Sequence, residues 1–355
     1  MTYKETLFFV GKCLTIQHEE KNRVLIEKKL ISNTIDWGAV VKVSTAHYVF
    51  PALYCNLKRV NFLKYVPDDL VEYMIHITNL NRERNEQIIE QAKELNRLLI
   101  EHNITPIFLK GTGNLLEGLY EDIAERMVGD IDFIVAMDEY EETIRVLKTN
   151  DYKVIKNDKT KSSHRHYSPL VNPTRIGAVE IHNSIFKEPY EELLGFQKIK
   201  TTLVKQSDFY FLSNENKIVT TILTKIINDN LYLSKIVPLR TVYDVFLISK
   251  KGNYNIVINN KKNFQKFNNY FGCIKMILNN PESINVIENK NLKKYQKSYL
   301  KLIADSRREK IINYLEKTLI RCEKFLLNKR YRYLVLKKLF KLDYCKNIFD
   351  FNKKS

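Results

Sequence analysis

Gly129-Asp130-Ile131-Asp132-Phe133-Ile134-Val135 limits most strongly what this chain can become. Its residues alternate. In an extended strand Ile131, Phe133 and Val135 point to one face, and Asp130 and Asp132 to the other. Such a strand hides the first set in a core only by presenting both carboxylates together, roughly 6–7 Å apart. That spacing suits two ligands of one divalent cation. A half-buried strand with a merely solvated acidic face shows the same pattern, so context decides. Upstream, the apolar run Pro106 to Leu109 ends in Lys110-Gly111. A helix-like segment follows, with Leu115, Leu116, Leu119 and Tyr120 at helical spacing. Arg126 lies between the two, and a further carboxylate, Glu180, comes on a second alternating run, Ala178 to His182. There Val179 and Ile181 take one face, and Glu180 and His182 the other.

Around this centre the chain changes character. Residues 1–103 read as helical, with Ile26, Leu30 and Ile31 on one stripe and Pro67-Asp68-Asp69 opening a long helix that runs to about Glu101. Trp37 reads as a core anchor or, less simply, a substrate stacker. Residues 104–190 alternate strand and helix. Asp138 is placed to cap a helix that turns Tyr140, Ile144 and Leu147 inward. Strands are expected at Tyr152–Ile155 and Tyr167–Val171, around a polar, basic loop from Lys156 to His166. Residues 191–252 return to helix, one over Lys217–Ile227 and one opened by Pro238. Residues 253–300 have weak periodicity and fit a linker or loosely packed helices. A basic helical region follows, with Ile311, Leu315, Leu319, Cys322 and Leu326 on one stripe. The expected units are therefore 1–103, 104–190, 191–252 and 253–355.

Composition bounds the function. With 44% hydrophobic and 28% charged residues the chain is globular in type. No run approaches a membrane span and no signal-peptide core is evident, so a cytoplasmic protein is expected. The five cysteines form no Cys-x-x-Cys pair, which points to free buried thiols rather than disulfides or structural zinc. The net charge of +17 is uneven: residues 251–355 carry 25 Lys/Arg against 8 Asp/Glu, and the rest is balanced. Either this segment meets an anionic partner, RNA or a membrane surface, or it reflects drift toward Lys and Asn. Tyr331–Leu342, both apolar and cationic, is the stretch suited to a membrane surface.

Three carboxylates on two neighbouring strands suit metal-dependent phosphoryl transfer. Mg²⁺ takes few protein carboxylates plus water and phosphate oxygens, and two ions hold the attacking and leaving oxygens in line. A glycine turn at Gly111-Thr112 lets backbone N–H groups approach a triphosphate, and Lys110 and Arg126 are placed to neutralise it. His166 and His182 are placed to touch phosphate or substrate, or to make ordinary polar contacts. His164 favours the ordinary contact. Asp244 reads as a helix–core hydrogen-bond partner.

The order Leu-Lys-Gly, a helix with Leu-Tyr, Arg-x-x-Gly-Asp-Ile-Asp-Phe-Ile-Val, Val-Glu-Ile-His and then Leu-Arg-Thr-Val-Tyr-Asp resembles the uncharacterised nucleotidyltransferase family of the polymerase-β-like superfamily. The resemblance runs from about Glu83 to Asp244. It implies an α/β (α+β) core with a mixed sheet, flanked by helical regions, transferring a nucleoside monophosphate from an NTP to a hydroxyl with Mg²⁺ or Mn²⁺. Asp130 and Asp132 would be the metal pair and Glu180 the third acid. Lys110, Gly111, Thr112, Arg126, His166 and His182 would bind nucleotide. Lys110-Gly111 stands where most of the superfamily has Gly-Ser or Gly-Gly, and the interval to Asp130 is longer than in minimal members. The acceptor stays open between a small molecule, an RNA end and a protein. A fold-retaining nucleotide- or RNA-binding protein without catalysis, or a membrane-surface protein, are the competing readings.

Overall fold

A mixed seven-stranded sheet holds the acidic strand at its centre in the computed structural model, which describes residues 1–154, 165–252 and 254–305. The strands are β1 Ile107–Phe108, β2 Asp130–Ile134, β3 Lys153–Val154, β4 Leu170–Val171, β5 Ala178–His182, β6 Val204–Gln206 and β7 Phe209–Phe211. Their order is β3-β4-β5-β2-β1-β7-β6. β2 runs parallel to β5 and antiparallel to β1, and β1 runs parallel to β7. A central strand is covered on both faces. Ile131, Phe133 and Val135 are fully buried, and so is Asp132 on the opposite face.

The helix Asp68–Glu101 covers the apolar face. Pro67 precedes it and Asp68 and Asp69 occupy its first turn, where carboxylates meet the positive end of the helix dipole. Its buried residues, among them Ile88, Ala92, Leu95 and Leu99, recur at helical spacing. A Cβ on Gly177, just before β5, would lie 2.8 Å from Gln91 Oε1, 2.9 Å from Ile88 Cδ1 and 3.0 Å from Ile131 Cδ1, so the chain passes close under this helix and a side chain there would make its neighbours shift. The same helix grips the segment leading into β2. Asn81 Nδ2 donates to Ala124 O at 2.7 Å, and Asn85 Nδ2 to Ile123 O at 2.6 Å and Arg126 O at 2.7 Å. Buried carbonyls need such partners, and here they fix the backbone just ahead of the acidic strand.

Several expectations are revised. The helix after Lys110 spans only Lys110–Leu116; Gly118, at φ +69°, turns the chain, and Leu119 and Tyr120 pack beyond it. Ile31 is exposed although Ile26 and Leu30 are buried. The helix Tyr140–Thr149 buries Tyr140, Ile144 and Leu147 without a side-chain cap from Asp138. Residues 191–252 are not wholly helical, because the β6–β7 hairpin lies there; its three-residue strands are too short to show a period. The helix expected at Lys217–Ile227 is Asn214–Leu223 running into a π-helical turn, Thr224–Asn228. Residues 253–300 hold two well-packed helices, Lys261–Ile277 and Lys290–Ile303, around Phe267, Tyr270, Phe271, Tyr295 and Tyr299. Asn and Lys on their outer faces dilute the apolar pattern.

Trp37 is partly buried and packs against the core. Cys13, Cys55 and Cys273 are buried free thiols. Residues 1–304 form one compact unit, and the boundaries expected at 103, 190 and 252 lie inside it. Ile155, the loop to His164, Cys322, Cys345, the stripe from Ile311 to Leu326 and Tyr331–Leu342 lie outside the described residues. Among the described residues no helix is long and apolar enough to cross a membrane.

The helix Leu239–Ser249 is tied at its start to the N-terminal helices. Leu239 N–H donates to His47 Nδ1 at 3.1 Å, and Tyr3 Oη lies 3.0 Å from His47 Nε2. Nδ1 accepts only while the ring is neutral. Burial lowers the His47 pKa from its ordinary 6.5 to about 4. Between those values the unfolded chain binds a proton that the folded one refuses. His47 therefore contributes stability that is complete above pH 6.5 and is lost as pH falls toward 4. In urea titrations the drop in midpoint from pH 7.5 to pH 5 should be smaller for His47→Gln, which keeps an acceptor without titrating. Equal drops would remove His47 as the cause.

Candidate active site

The pairing of β2 with β5 sets Asp132 opposite Glu180 and Ile134 opposite His182. In a parallel pair, opposed residues point to the same face, so Asp132 and Glu180 emerge side by side. His182 follows two residues later on that face. Its Nε2 lies 2.8 Å from Asp132 Oδ1 and 3.6 Å from Glu180 Oε2. One donor atom from each of Asp132, Glu180 and His182 lies within 4.8 Å of the others. Two carboxylate oxygens and an imidazole nitrogen so disposed form a donor set that could hold a divalent metal ion. Arg165 Nη1 donates to His182 Nδ1 at 3.3 Å, which leaves Nε2 with the proton that Asp132 accepts. A cation on Nε2 would require the ring proton to sit on Nδ1 instead, at the expense of the Arg165 hydrogen bond.

Lys110 reaches the same carboxylate. Its Nζ lies 2.5 Å from Asp132 Oδ1. Burial opposes ionisation of Asp132, but the Lys110 ammonium and the His182 hydrogen bond outweigh it and hold the carboxyl far below its usual range. Burial, with Asp132 beside it, moves Asp130 the other way, upward. Burial opposes the charge on Glu180, and the His182 Nε2–H nearby, with Lys110, brings its pKa below the ordinary value. Burial likewise opposes the Lys110 charge, while Asp132 raises its pKa overall.

Asp130, Asp132 and Lys110 open into a cleft of about 240 Å³. Its far wall comes from the end of the helix Asn214–Leu223, the π-helical turn after it and the helix Leu239–Ser249, through Thr221, Thr224, Asn228 and Arg240. Single π turns occur often at functional sites, because the extra residue re-aims side chains. Arg165 also lines the cleft. None of these five was singled out in the sequence for a role in the site. Thr221 and Thr224 sit in an ordinary amphipathic helix pattern, and Arg240 is one of many cations. Only its place in Leu-Arg-Thr-Val-Tyr-Asp marked it.

The remaining expected site residues divide. Asp130 stands beside the three-donor group of Asp132, Glu180 and His182 rather than within it. Thr112 turns its hydroxyl to Asp130 O at 2.8 Å, holding the strand instead of facing the cleft. The positive φ belongs to Lys110, at +52°, not to Gly111. Gly111 is needed for a close approach: a Cβ there would meet Val128 Cγ2 at 2.9 Å and Arg126 Cζ at 3.3 Å. His166 bonds Tyr167 O through Nδ1 at 2.8 Å, and its ring lies 5.2 Å from that of His182. His164 lies outside the described residues.

Arg126 lines the cleft but is held by Asp244, with Nε 3.0 and 3.1 Å from the two carboxylate oxygens. Tyr120 donates to the same carboxylate at 2.7 Å. All three side chains are buried. Removing one member of such a pair strands the other charge. Asp244→Ala should therefore cost about 3–5 kcal/mol in urea unfolding. Arg126→Met combined with Asp244→Leu should cost distinctly less. If Asp244→Ala alone were as stable as the double variant, the pair would not brace the cleft.

The model of a family described as uncharacterised nucleotidyltransferase matches residues 33–267, more than half of the chain. No curated protein and no solved structure matches it. The matched span contains β1 to β7 and both walls of the cleft. By sequence and by the mixed α/β core that carries this acidic centre, the chain belongs to the uncharacterised nucleotidyltransferase family.

Proposed function

We propose that the protein is a divalent-metal-dependent nucleotidyltransferase, moving a nucleoside monophosphate from an NTP to an acceptor hydroxyl. The observation that carries this is the Asp132–Glu180–His182 donor set beside a cation-lined cleft. Mg²⁺ or Mn²⁺ held by those residues would neutralise charge on the phosphates. Lys110, already at Asp132 and lining the cleft, supplies an ammonium for the polyphosphate. Asp130 faces the cleft with no ion pair among the described residues, and is the group placed to accept the hydroxyl proton. In the reaction the acceptor oxygen bonds the α-phosphorus, the bond from that phosphorus to the bridging oxygen breaks, and pyrophosphate leaves.

The test is incubation with each α-labelled NTP, Mg²⁺ or Mn²⁺ and a lysate, followed by fractionation of the label. Asp132→Asn should lower label transfer on the order of 100-fold or more, with circular dichroism unchanged. Metal-independent nucleotide binding without any label transfer by the wild type would favour the non-catalytic binding protein instead.

One observation favours an anionic acceptor such as RNA. The helix Lys290–Ile303 exposes Lys290, Lys293, Lys294, Lys297 and Lys301 and contains no acid. Its buried face is Leu292, Tyr295, Tyr299, Leu302 and Ile303. Lysine contacts with phosphates release counterions, so RNA binding should weaken steeply with salt, and changing Lys293, Lys294 and Lys297 to Gln should flatten that slope. Identical slopes would leave these lysines as a solvated face and favour a small acceptor.

A further inference from the structure

Eleven residues other than glycine hold a left-handed backbone among the described residues, and seven of them are Asn or Asp. Those residues tolerate the conformation best. The exceptions are Tyr48, Lys110, Ser207 and Lys235. Tyr48, at φ +56°, ends the helix Trp37–Ala46. The Tyr48 N–H bonds back to Thr45 O at 3.0 Å and the Val49 N–H to Ser44 O at 2.8 Å. This is a helix end where Gly or Asn is usual. A ring that is 53% exposed stands there instead. Persistent backbone strain invites a search for what the side chain does.

The ring supports Arg240. The guanidinium carbon lies 4.9 Å from the Tyr48 ring centroid, within cation–π range. Arg240 is the second residue of its helix and lines the same cleft as Asp130. Its one other hydrogen bond is long, Nη1 to Met127 O at 3.5 Å. No carboxylate lies within the 4 Å of an ion pair among the described residues. Asp244, one turn further along the helix, is taken by Arg126 and Tyr120. Burial, and Arg126 as a like-charged neighbour, push the Arg240 pKa below its ordinary value. Asp244 and Asp130 attract the guanidinium, but neither comes within ion-pair distance of it. A half-buried cation that lines a cleft with no paired carboxylate gains from an incoming anion.

We infer that Tyr48 and Arg240 form a phosphoryl-binding subsite at the cleft, the ring holding the guanidinium so that its free donors meet phosphoryl oxygens of a substrate. The choice of phosphoryl over other anions rests on the nucleotidyltransferase reading; the anion site itself rests on the Tyr48–Arg240 geometry. Two sources share this chemistry, the polyphosphate of the nucleotide and a phosphate on the acceptor.

Calorimetry on the full chain without metal tests it, using inorganic tripolyphosphate, ATP, and inorganic phosphate added to ATP-loaded protein. Arg240→Met should weaken phosphate binding by about tenfold or more, and Arg240→Lys less, because lysine lacks the planar fork. Tyr48→Asn should weaken it several-fold and at the same time raise Tm by about 2 °C, since Asn relieves the left-handed strain. Opposite signs for binding and stability are not what a merely structural tyrosine produces. Loss of both tripolyphosphate and ATP affinity assigns the subsite to the nucleotide. Loss confined to inorganic phosphate on the ATP-loaded protein assigns it to the acceptor. Unchanged affinity of Arg240→Met for all three probes overturns the inference, as does Tyr48→Asn binding as tightly as the wild type. The titrations need neither metal nor turnover, so they succeed or fail independently of label transfer.

Discussion

The register between β2 and β5 is the constraint on which the site depends. Side chains alternate with a period of two, so a one-residue slip would turn Glu180 and His182 to the opposite face. It would also drive Val179 and Ile181, both fully buried, out of the core. The apolar face thus enforces the register, and the register aligns Asp132 with Glu180 and places His182 in reach of both. Chemistry on one face of the strand is specified by packing on the other. That coupling lets a buried, acidic centre persist in a sheet that would otherwise favour apolar residues on both sides.

Burying Asp132 has consequences for everything near it. A carboxylate out of water needs compensating charge or hydrogen bonds. Lys110 and His182 provide both, on the same oxygen. The chain places Lys110 there by a left-handed turn at the end of β1, followed at once by a helix that closes on Gly111 and Gly113. A Cβ on Gly113 would lie 2.6 Å from Phe108 O, so the helix can fold back this tightly only without one. The second ion pair, Arg126 with Asp244, joins the segment before β2 to the helix that carries Arg240. The two walls of the cleft are therefore held together by charge as well as by packing.

Much of this was readable from residue order. Alternation over Asp130–Val135 and Ala178–His182 marks both strands and their faces, because a buried face leaves its period in the sequence. The family resemblance rests on the same residues, and the family match agrees with it. Contacts between distant elements left no such trace. The β6–β7 hairpin is too short to show a period, and its pairing with β1 is a tertiary fact. The gathering of Asp132, Glu180 and His182 follows from strand register, which no local pattern reports. Arg240 and Thr221 line the cleft from two different helices, Leu239–Ser249 and Asn214–Leu223, a tertiary proximity with no local pattern behind it.

Lys110 and Tyr48, two of the four left-handed residues among the described residues that are not Asn, Asp or Gly, share a logic. Elsewhere a left-handed turn is mostly given to Asn or Asp, whose short side chains suit it. At these two positions a long or aromatic side chain takes the turn, and each is directed at the charge of another residue: Lys110 at Asp132, Tyr48 at Arg240. A left-handed residue points its side chain where a right-handed or extended one cannot, so the strain acquires a direction. Lys110 and Arg240 then line the same cleft, one compensating an acid and the other without one. An anion entering between them would complete the second pairing and compete with Asp132 for the first.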